Sequence, residues 1–143
     1  MIFNRLLELY LLFYFFVAAH EIGHFIAAKM IDLNVSEFRI GDRLLAVRFG
    51  KFSISPWFGF GGYVSFPKEE MMQKTKKQMA LFFFSGSAMN LLLILIGSLF
   101  IRFFPFYGTA IILINTLLLL ENLIPFFHVE NDIRKFFRYI KSI

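Results

Sequence analysis

Residues 6–31 read LLELYLLFYFFVAAHEIGHFIAAKMI, an apolar run longer than the about 20 residues that an α-helix needs to cross a bilayer. Its second half holds His20, Glu21 and His24 in the pattern H-E-x-x-H. On a helix, positions i and i+4 share one face, so the two imidazoles can bind one zinc ion while Glu21 serves as a general base. Ionisable side chains are costly inside a membrane span, so this cluster predicts a catalytic zinc site within the span.

The composition places the chain among membrane proteins. Its 143 residues predict a single domain, residues 1–143, and a hydrophobic content of 58% with a mean hydropathy of +0.67 exceeds that of ordinary soluble domains. The chain has no cysteine, so a metal site must use histidine and carboxylate ligands. The net charge of +5 fits membrane orientation and attraction to anionic lipid, and we expect no nucleic-acid partner.

The rest of the chain divides into spans and a region of different texture. Residues 79–101 and 106–127 are also long and apolar enough to span a bilayer. Residues 35–66 are rich in Val, Ile, Phe and Tyr with many glycines, which predicts short strands and tight turns. Residues 131–143 alternate apolar and basic side chains, a pattern typical of an interfacial helix.

The predicted fold class is therefore a membrane α-helical protein with three transmembrane helices. A membrane-associated β-hairpin or sheet lies between the first two, and a short interfacial helix forms the C-terminus. All Lys and Arg residues except Arg5 and Arg102 lie at or after the end of the first span and before the second, or after the third. The positive-inside rule then predicts an integral membrane protein with its N-terminus outside and its C-terminus in the cytoplasm.

Two histidines do not complete a catalytic zinc site, which usually has three protein ligands and a water molecule. Four residues near the end of the third span have suitable side chains at the expected depth. They are Glu121, His128, Glu130 and Asp132. Spacing alone does not choose among them.

The chain resembles the site-2 protease family of intramembrane zinc proteases, in particular the bacterial regulator-of-sigma protease branch, which cleaves anti-sigma factors and remnant signal peptides. Four features occur in the family's order along nearly the whole chain. They are Ala19-His20-Glu21-Ile22-Gly23-His24-Phe25, the glycine-rich strand region with Phe38-Arg39-Ile40-Gly41 and Gly61-Gly62-Tyr63-Val64, the G-x-x-x-N helix Ser85-Gly86-Ser87-Ala88-Met89-Asn90, and the N-x-x-P segment Asn122-Leu123-Ile124-Pro125. Together they are more specific than any one alone.

The resemblance implies a third ligand and also a departure from the family pattern. The family's N-x-x-P segment is followed by Leu-Asp-Gly, whose Asp is the third zinc ligand. Counted from Pro125, that position is Glu130, with Asn131 in place of the Gly. We expect Glu130 to be the third ligand and Asp132 to be the alternative. Asn131 can adopt the left-handed conformation that the family's Gly would use. The family's inserted PDZ-type domains are absent, so the chain resembles a minimal three-span core.

The implied activity is zinc-dependent hydrolysis of a transmembrane or membrane-bound peptide, in a bacterial cytoplasmic membrane. Zn²⁺ is the expected cofactor, and Glu21 is the expected proton acceptor. An extended substrate would pair with a strand edge near Gly61 and Gly62, and the side-chain amides of Asn90 and Asn122 would bind its backbone. Asn90 has a second interpretation as an interhelical hydrogen bond, and Gly86 and Gly97 are interpreted as helix-packing residues.

Two other functions remain open at this stage. The first is a non-cleaving module that binds a membrane protein and keeps zinc or only the fold, and the Glu130-Asn131 replacement favours it. The second is a small structural membrane subunit with a fortuitous motif. Substrate identity and oligomeric state do not follow from the sequence.

Overall fold

The computed structural model describes residues 2–41, 46–55, 61–124 and 131–142. The helices are α1 (Ile2–Met30), α2 (Lys68–Met72), α3 (Lys76–Phe100), α4 (Pro105–Leu123) and α5 (Asp132–Ser142). The strands are β1 (Glu37–Ile40), β2 (Val47–Phe49), β3 (Phe52–Ile54) and β4 (Gly62–Ser65). This order of helices and strands confirms the predicted three long helices, the sheet between the first two and the C-terminal helix.

Helices α1, α3 and α4 are long and apolar enough to cross a membrane. Helices α1 and α3 begin four and three residues before the predicted spans and end one residue before them, and α4 begins one residue early and ends four residues early. That helix ends at Leu123, short of the predicted Phe127, and Ile124 is extended with φ −95° and ψ 114°. The residue before a proline is pushed out of the helical region by the proline ring, so Pro125 accounts for the earlier end.

Apolar contacts hold α1, α3 and α4 together on the N-terminal side of the H-E-x-x-H motif in α1. Phe16 and Val17, about one turn before His20, form a buried cluster with Leu118 of α4. A Cβ atom on Gly97 of α3 would lie 2.8 Å from a methyl carbon of Ile111 in α4, so the small residue permits the close approach of these helices. The interpretation of Gly97 as a helix-packing residue therefore agrees with its surroundings.

Large apolar side chains cover the outward faces of these helices. Leu99 of α3 is 73% exposed, and Leu117 of α4 is 65% exposed. Apolar surface of this extent is unfavourable in water and favourable in lipid. The surface therefore supports the same membrane setting that length and composition suggest.

The sheet has the strand order β2-β3-β1-β4 and lies beside the second half of α1. Strand β1 pairs parallel with β3 and antiparallel with β4, while β2 and β3 form an antiparallel hairpin. The Tyr14 hydroxyl donates to the carbonyl oxygen of Ser55 at 2.8 Å, and the Phe25 ring lies edge-on to Phe38 at 5.5 Å. The sheet therefore runs alongside the helix at the level of the motif.

Among the described strands, β4 is an edge strand, with a neighbour on one side only. The backbone N–H of Gly41 donates to the carbonyl oxygen of Gly61 at 2.8 Å. Hydrogen-bonded and non-hydrogen-bonded pairs alternate along an antiparallel ladder. With Ile40 opposite Gly62 and Phe38 opposite Val64, the backbone groups of Gly62 and Val64 therefore face the free edge.

A second apolar core joins the motif end of α1 to the sheet, α3 and α5. Its buried members are Ala28, Ile31, Leu33, Val35, Phe38, Met79, Phe82, Phe83 and Tyr139. The Tyr139 hydroxyl donates to the carbonyl oxygen of Lys74 at 2.6 Å, which ties α5 to the segment before α3. This core holds α5 against the bundle at the level of the motif.

Candidate metal centre

The H-E-x-x-H motif lies on a helical, buried part of α1. His20 is 6% exposed, Glu21 is 7% exposed and His24 is 4% exposed. The Nε2 atoms of the two histidines lie 3.2 Å apart, as the i, i+4 spacing predicts. The motif therefore presents two ring nitrogens to one point inside the protein.

Asp132, the first residue of α5, reaches the same point. Its Oδ2 lies 2.9 Å from Nε2 of His24 and 3.3 Å from Nε2 of His20. In the described part of the chain, His20, His24 and Asp132 form the group with metal-ligand geometry, their ligand atoms all within 4.8 Å of one another. Of the predicted third ligands, Glu130 and His128 lie outside the described residues. Glu121 is described but is not part of this group.

The hydrogen-bond partners of Nδ1 determine the tautomer of His24. Nδ1 of His24 lies 2.8 Å from the carbonyl oxygen of Phe82, which can only accept a hydrogen bond, so Nδ1 carries the proton. The hydroxyl of Ser85 also lies 3.2 Å from Nδ1. In the neutral ring Nε2 therefore presents a lone pair toward Asp132 Oδ2, another acceptor. Two facing acceptors at this distance need either a proton or a metal cation between them.

His20 is supported from α3 by Asn90, which is fully buried. The side-chain amide nitrogen of Asn90 lies 3.1 Å from Nδ1 of His20, and no partner of Asn90 Oδ1 is found among the described residues. When Nε2 of His20 ligates a metal, Nδ1 carries the proton and needs a hydrogen-bond acceptor. The Asn90 side chain supplies one if its amide group is rotated by 180°, which exchanges the positions of Oδ1 and Nδ2. This contact agrees with the interpretation of Asn90 as an interhelical hydrogen bond. Asn90 lines neither of the two cavities beside the motif.

The charge on Asp132 suits a cation at this point. Burial by itself raises the pKa of the Asp132 carboxyl. When the Nε2 atoms of His20 and His24 carry protons, their hydrogen bonds to the carboxylate, together with the nearby Lys135 ammonium, outweigh that effect and hold the pKa well below its usual value. The centre thus offers two imidazole nitrogens and one carboxylate oxygen, a donor set that catalytic zinc sites use.

Two glycines leave room around the motif. A Cβ atom on Gly86 of α3 would lie 2.5 Å from Nε2 of both His20 and His24. A Cβ atom on Gly62 of β4 would overlap Cγ of Glu21 and lie 2.7 Å from its Cδ. Gly86 therefore borders the point where the two Nε2 atoms meet, which is more than the helix-packing role predicted for it. In the sequence, its position in the G-x-x-x-N pattern could have indicated this role.

Two cavities meet at Glu21. The larger, of about 420 Å³, runs between β4 and α5, and its wall includes Glu21, His24 and Asp132. The smaller, of about 180 Å³, reaches α4 and contains Asn122 and Glu121. Gly62 lines both cavities, and Gly61 lines the smaller one. The structure therefore brings Gly61, Gly62 and Asn122 to the cavities beside the motif.

Asn131 has a role that the motif comparison missed. Its Oδ1 accepts from the backbone N–H of Arg134 at 3.0 Å, which is an N-cap of α5. Its Nδ2 donates to the carbonyl oxygens of Glu121 at 3.1 Å and Ile124 at 3.0 Å. The available signal was the capping preference of Asn before a helical pattern.

The sequence also matches a known family. The model of peptidase family M50 matches residues 8–111, which cover the motif, the sheet, α3 and the start of α4. The chain belongs to peptidase family M50. Members of this family are zinc metalloproteases, and membership implies intramembrane metalloprotease activity. No curated protein matches the chain.

The M50 match and the described geometry cover different parts of the site. The match includes His20, Glu21 and His24 and ends before Asp132. The third member of the cluster therefore rests on the structure, which brings α5 back to α1 across the bundle.

Proposed function

We propose that this protein is a zinc-dependent intramembrane endopeptidase that cleaves a transmembrane or membrane-bound peptide. The observation that supports this most strongly is the convergence of His20 Nε2, His24 Nε2 and Asp132 Oδ2 beside the carboxyl group of Glu21. M50 membership supports the same reaction class. We assign His20, His24 and Asp132 as the metal ligands, with Glu130 as the rival for the third position.

The reaction follows from what these residues can do. Zinc bound at this point would supply Lewis acidity to the scissile carbonyl and to the attacking water. Glu21 would accept a proton from that water on its carboxylate and later deliver the proton to the leaving amine. Phe82 and Ser85 behind His24 and Asn90 behind His20 keep the rings oriented.

The free edge of β4 supports a binding mode for the substrate. A peptide bond inside a helix is hidden by its own hydrogen bonds, so the substrate must be extended before it is cut. The backbone groups of Gly62 and Val64 can hydrogen-bond an extended segment beside Glu21. Asn122 lines the smaller cavity, and because one N–H of its side-chain amide donates to the Leu118 carbonyl oxygen at 2.9 Å, the other would donate to the substrate backbone.

We further propose that the protein lies in a bacterial cytoplasmic membrane, with its N-terminus outside and its C-terminus in the cytoplasm. The bias of basic residues supports this orientation. The motifs resemble the branch that cleaves anti-sigma factors and remnant signal peptides, and we propose substrates of that kind.

A non-cleaving, zinc-binding module for a membrane protein is the second candidate. The replacement of the family's Asp-Gly by Glu130-Asn131 favours it. In such a module the metal would stabilise the fold, and Glu21 would have no proton to transfer.

The substitution Glu21→Gln separates the two candidates. A signal-peptide reporter is co-expressed with each variant, and bound zinc is measured on the purified protein. We expect Glu21→Gln to reduce cleavage about 10²- to 10⁴-fold, the contribution of a general base, and to retain zinc. Glu8→Gln, which removes a carboxylate from an exposed pair with Arg5 on the same helix, is the matched control and should cleave normally. Equal cleavage by Glu21→Gln and the unsubstituted protein would contradict the proposal.

A further inference from the structure

The two cavities beside the motif share one stretch of wall, which is their junction. Four residues line both cavities: Glu21, Gly62, Asp132 and Lys135. Among the described residues, Lys135 is the only lysine or arginine that lines both. An extended substrate that pairs with Gly62 and runs from one cavity into the other would have its scissile bond at the junction, beside the carboxyl group of Glu21.

The ammonium group of Lys135 is only loosely engaged at the junction. Its Nζ lies 3.6 Å from Oδ1 of Asp132, and its side chain is 41% exposed. That separation makes an ion pair but exceeds the roughly 2.7–3.2 Å of an N–H···O hydrogen bond. In the part of the chain that the structure describes, Nζ makes no hydrogen bond. The three N–H donors of the ammonium are therefore available to a ligand at the junction.

This ammonium also lies close to the metal-binding point. The other oxygen of the Asp132 carboxylate, Oδ2, is 2.9 Å from Nε2 of His24. The width of one carboxylate group thus separates the Lys135 contact from the histidine contact. The charge of Lys135 also acts on the carboxyl group of Glu21. Because the ammonium sits on a flexible four-carbon stem, it can turn to a new partner at the junction while α5 stays in place.

The proposed hydrolysis moves negative charge across the junction. When the oxygen of the attacking water bonds to the scissile carbonyl carbon, the π electron pair of the C=O bond moves onto the carbonyl oxygen. The water proton goes to Glu21, which becomes neutral. When the C–N bond breaks, its electron pair leaves with the nitrogen, which takes the proton from Glu21, and the oxyanion pair restores the C=O bond. A cation at the junction therefore attracts the substrate oxygen most strongly during the reaction itself.

We propose that Lys135 is a further catalytic residue, whose ammonium donates a hydrogen bond to the scissile carbonyl oxygen as that oxygen becomes negative. The inference rests on the proposed protease function and adds a residue to its machinery. Preorganised donors aimed at developing charge are a main source of rate enhancement in acyl transfer. Weakening the contact with Asp132 costs little, because a partly exposed i, i+3 ion pair contributes little to stability.

The competing interpretation is a supporting role, in which Lys135 orients the Asp132 carboxylate. Such a role calls for a hydrogen bond to Oδ1, whereas Nζ lies 3.6 Å away. The two roles differ in what is lost with the ammonium. The supporting role predicts a loss of zinc affinity, and the catalytic role predicts a loss of turnover with zinc still bound.

The test removes the ammonium and keeps the unbranched stem. Lys135→Met, Lys135→Arg and Lys141→Met are purified as the full chain in zwitterionic detergent with zinc, and a quenched fluorescent signal peptide gives kcat and KM. We expect Lys135→Met to lower kcat about 10²-fold with KM unaltered, near the lower end for loss of one oxyanion donor, because exposure screens the charge. Lys135→Arg should recover most of this loss. Lys141→Met makes the same change on α5 outside both cavities and should cleave normally.

Competition with a zinc-binding dye on the same proteins keeps the two roles apart. An unaltered zinc affinity in Lys135→Met, together with the lower kcat, would support the catalytic role. A parallel fall of zinc affinity and kcat, a rise of KM alone, or an unaltered kcat would each overturn it.

A binding measurement separates this inference from the protease function. A fluorescent phosphinic peptide, whose tetrahedral anionic group resembles the oxyanion, and an amide peptide of the same sequence are bound to the zinc-loaded proteins. Lys135→Met should weaken binding of the phosphinic peptide and leave binding of the amide peptide unaltered. If no variant cleaves, the protease function fails, and this selective loss would still support Lys135 as the cation that meets an oxyanion. Equal losses for both peptides, or no loss for either, would overturn the inference.

Discussion

The two ends of the helical bundle are held together in different ways. Beside the motif, α1 and α3 meet through polar atoms, with His20 next to Asn90 and His24 next to Ser85. Farther from the motif, α3 and α4 meet where Gly97 lies against Ile111 and Ile112, and the three atoms nearest to a Cβ atom on Gly97 are carbons. The contacts of the two histidines therefore depend on directed hydrogen bonds, and the Gly97 contact depends on shape.

This difference teaches where the chain tolerates change. A change of side-chain volume at an apolar contact lowers the free energy of unfolding only moderately, because neighbouring side chains can shift. Polar contacts around a buried centre lose their function when one atom moves, because donors and acceptors must remain aligned. Substitutions near the motif should therefore affect metal binding, and those at the apolar end should affect stability.

The largest effect is expected from the carboxylate that closes the centre. Asp132→Ala should weaken zinc binding by more than the roughly 10- to 100-fold that loss of a supporting hydrogen bond causes, because a direct ligand is removed. Competition with a zinc-binding dye measures this affinity. Glu130→Ala is the companion variant and should retain zinc. The reverse result, with zinc lost in Glu130→Ala and kept in Asp132→Ala, would assign the third ligand to Glu130.

A pair of glycine substitutions on α3 compares the two ends directly. Gly86→Ala would place a methyl group 2.5 Å from Nε2 of each histidine and should abolish stoichiometric zinc binding. Gly97→Ala would press on Ile111 and should lower the free energy of unfolding by about 1–3 kcal/mol while zinc stays bound. Zinc content and thermal unfolding in detergent are measured for both. An equal loss of zinc content in the two variants would show that metal binding is no more sensitive to packing at Gly86 than at Gly97.

The smallest effect is expected at the N-cap of α5. Asn131→Ala removes both the cap and the donation to α4, and should lower stability by about 1 kcal/mol and zinc affinity about tenfold. Asn131→Asp keeps an oxygen for the cap but loses the donation. If the hydrogen bonds from Asn131 Nδ2 to α4 position Asp132, zinc binding is weaker in both variants. Only the alanine variant also loses the N-cap of α5 and the stability that the cap provides. An unaltered zinc affinity in Asn131→Ala would exclude the positioning role.

Much of the fold could be predicted because its signals are local. Runs of apolar residues of bilayer length predict helices, and the glycine-punctuated region between them predicts strands. The end of α4 was placed too late because hydropathy counts Phe126 and Phe127 as part of the span, whereas Pro125 already disfavours the helix at Ile124.

The third member of the centre could not be chosen in the same way. Counting along the family pattern favours Glu130, which lies outside the described residues. The structure instead shows Asp132 with both histidines. The direction of this carboxylate depends on where α5 begins, and that start is set by Asn131 bonds to α4. The spacing of residues along the sequence does not predict a tertiary contact of this kind.

The chain's own sequence specified the helices, the strand region and the histidine pair, because periodicity and the i, i+4 relation act within one element. Only folding brought Asp132 from α5, Asn90 and Gly86 from α3 and Gly62 from β4 to that pair. Residues far apart in sequence meet through the packing of whole elements, whose relative positions depend on side-chain volumes and caps summed over the bundle. The H-E-x-x-H motif can be found in the sequence alone, whereas the cluster around it exists only in the tertiary structure.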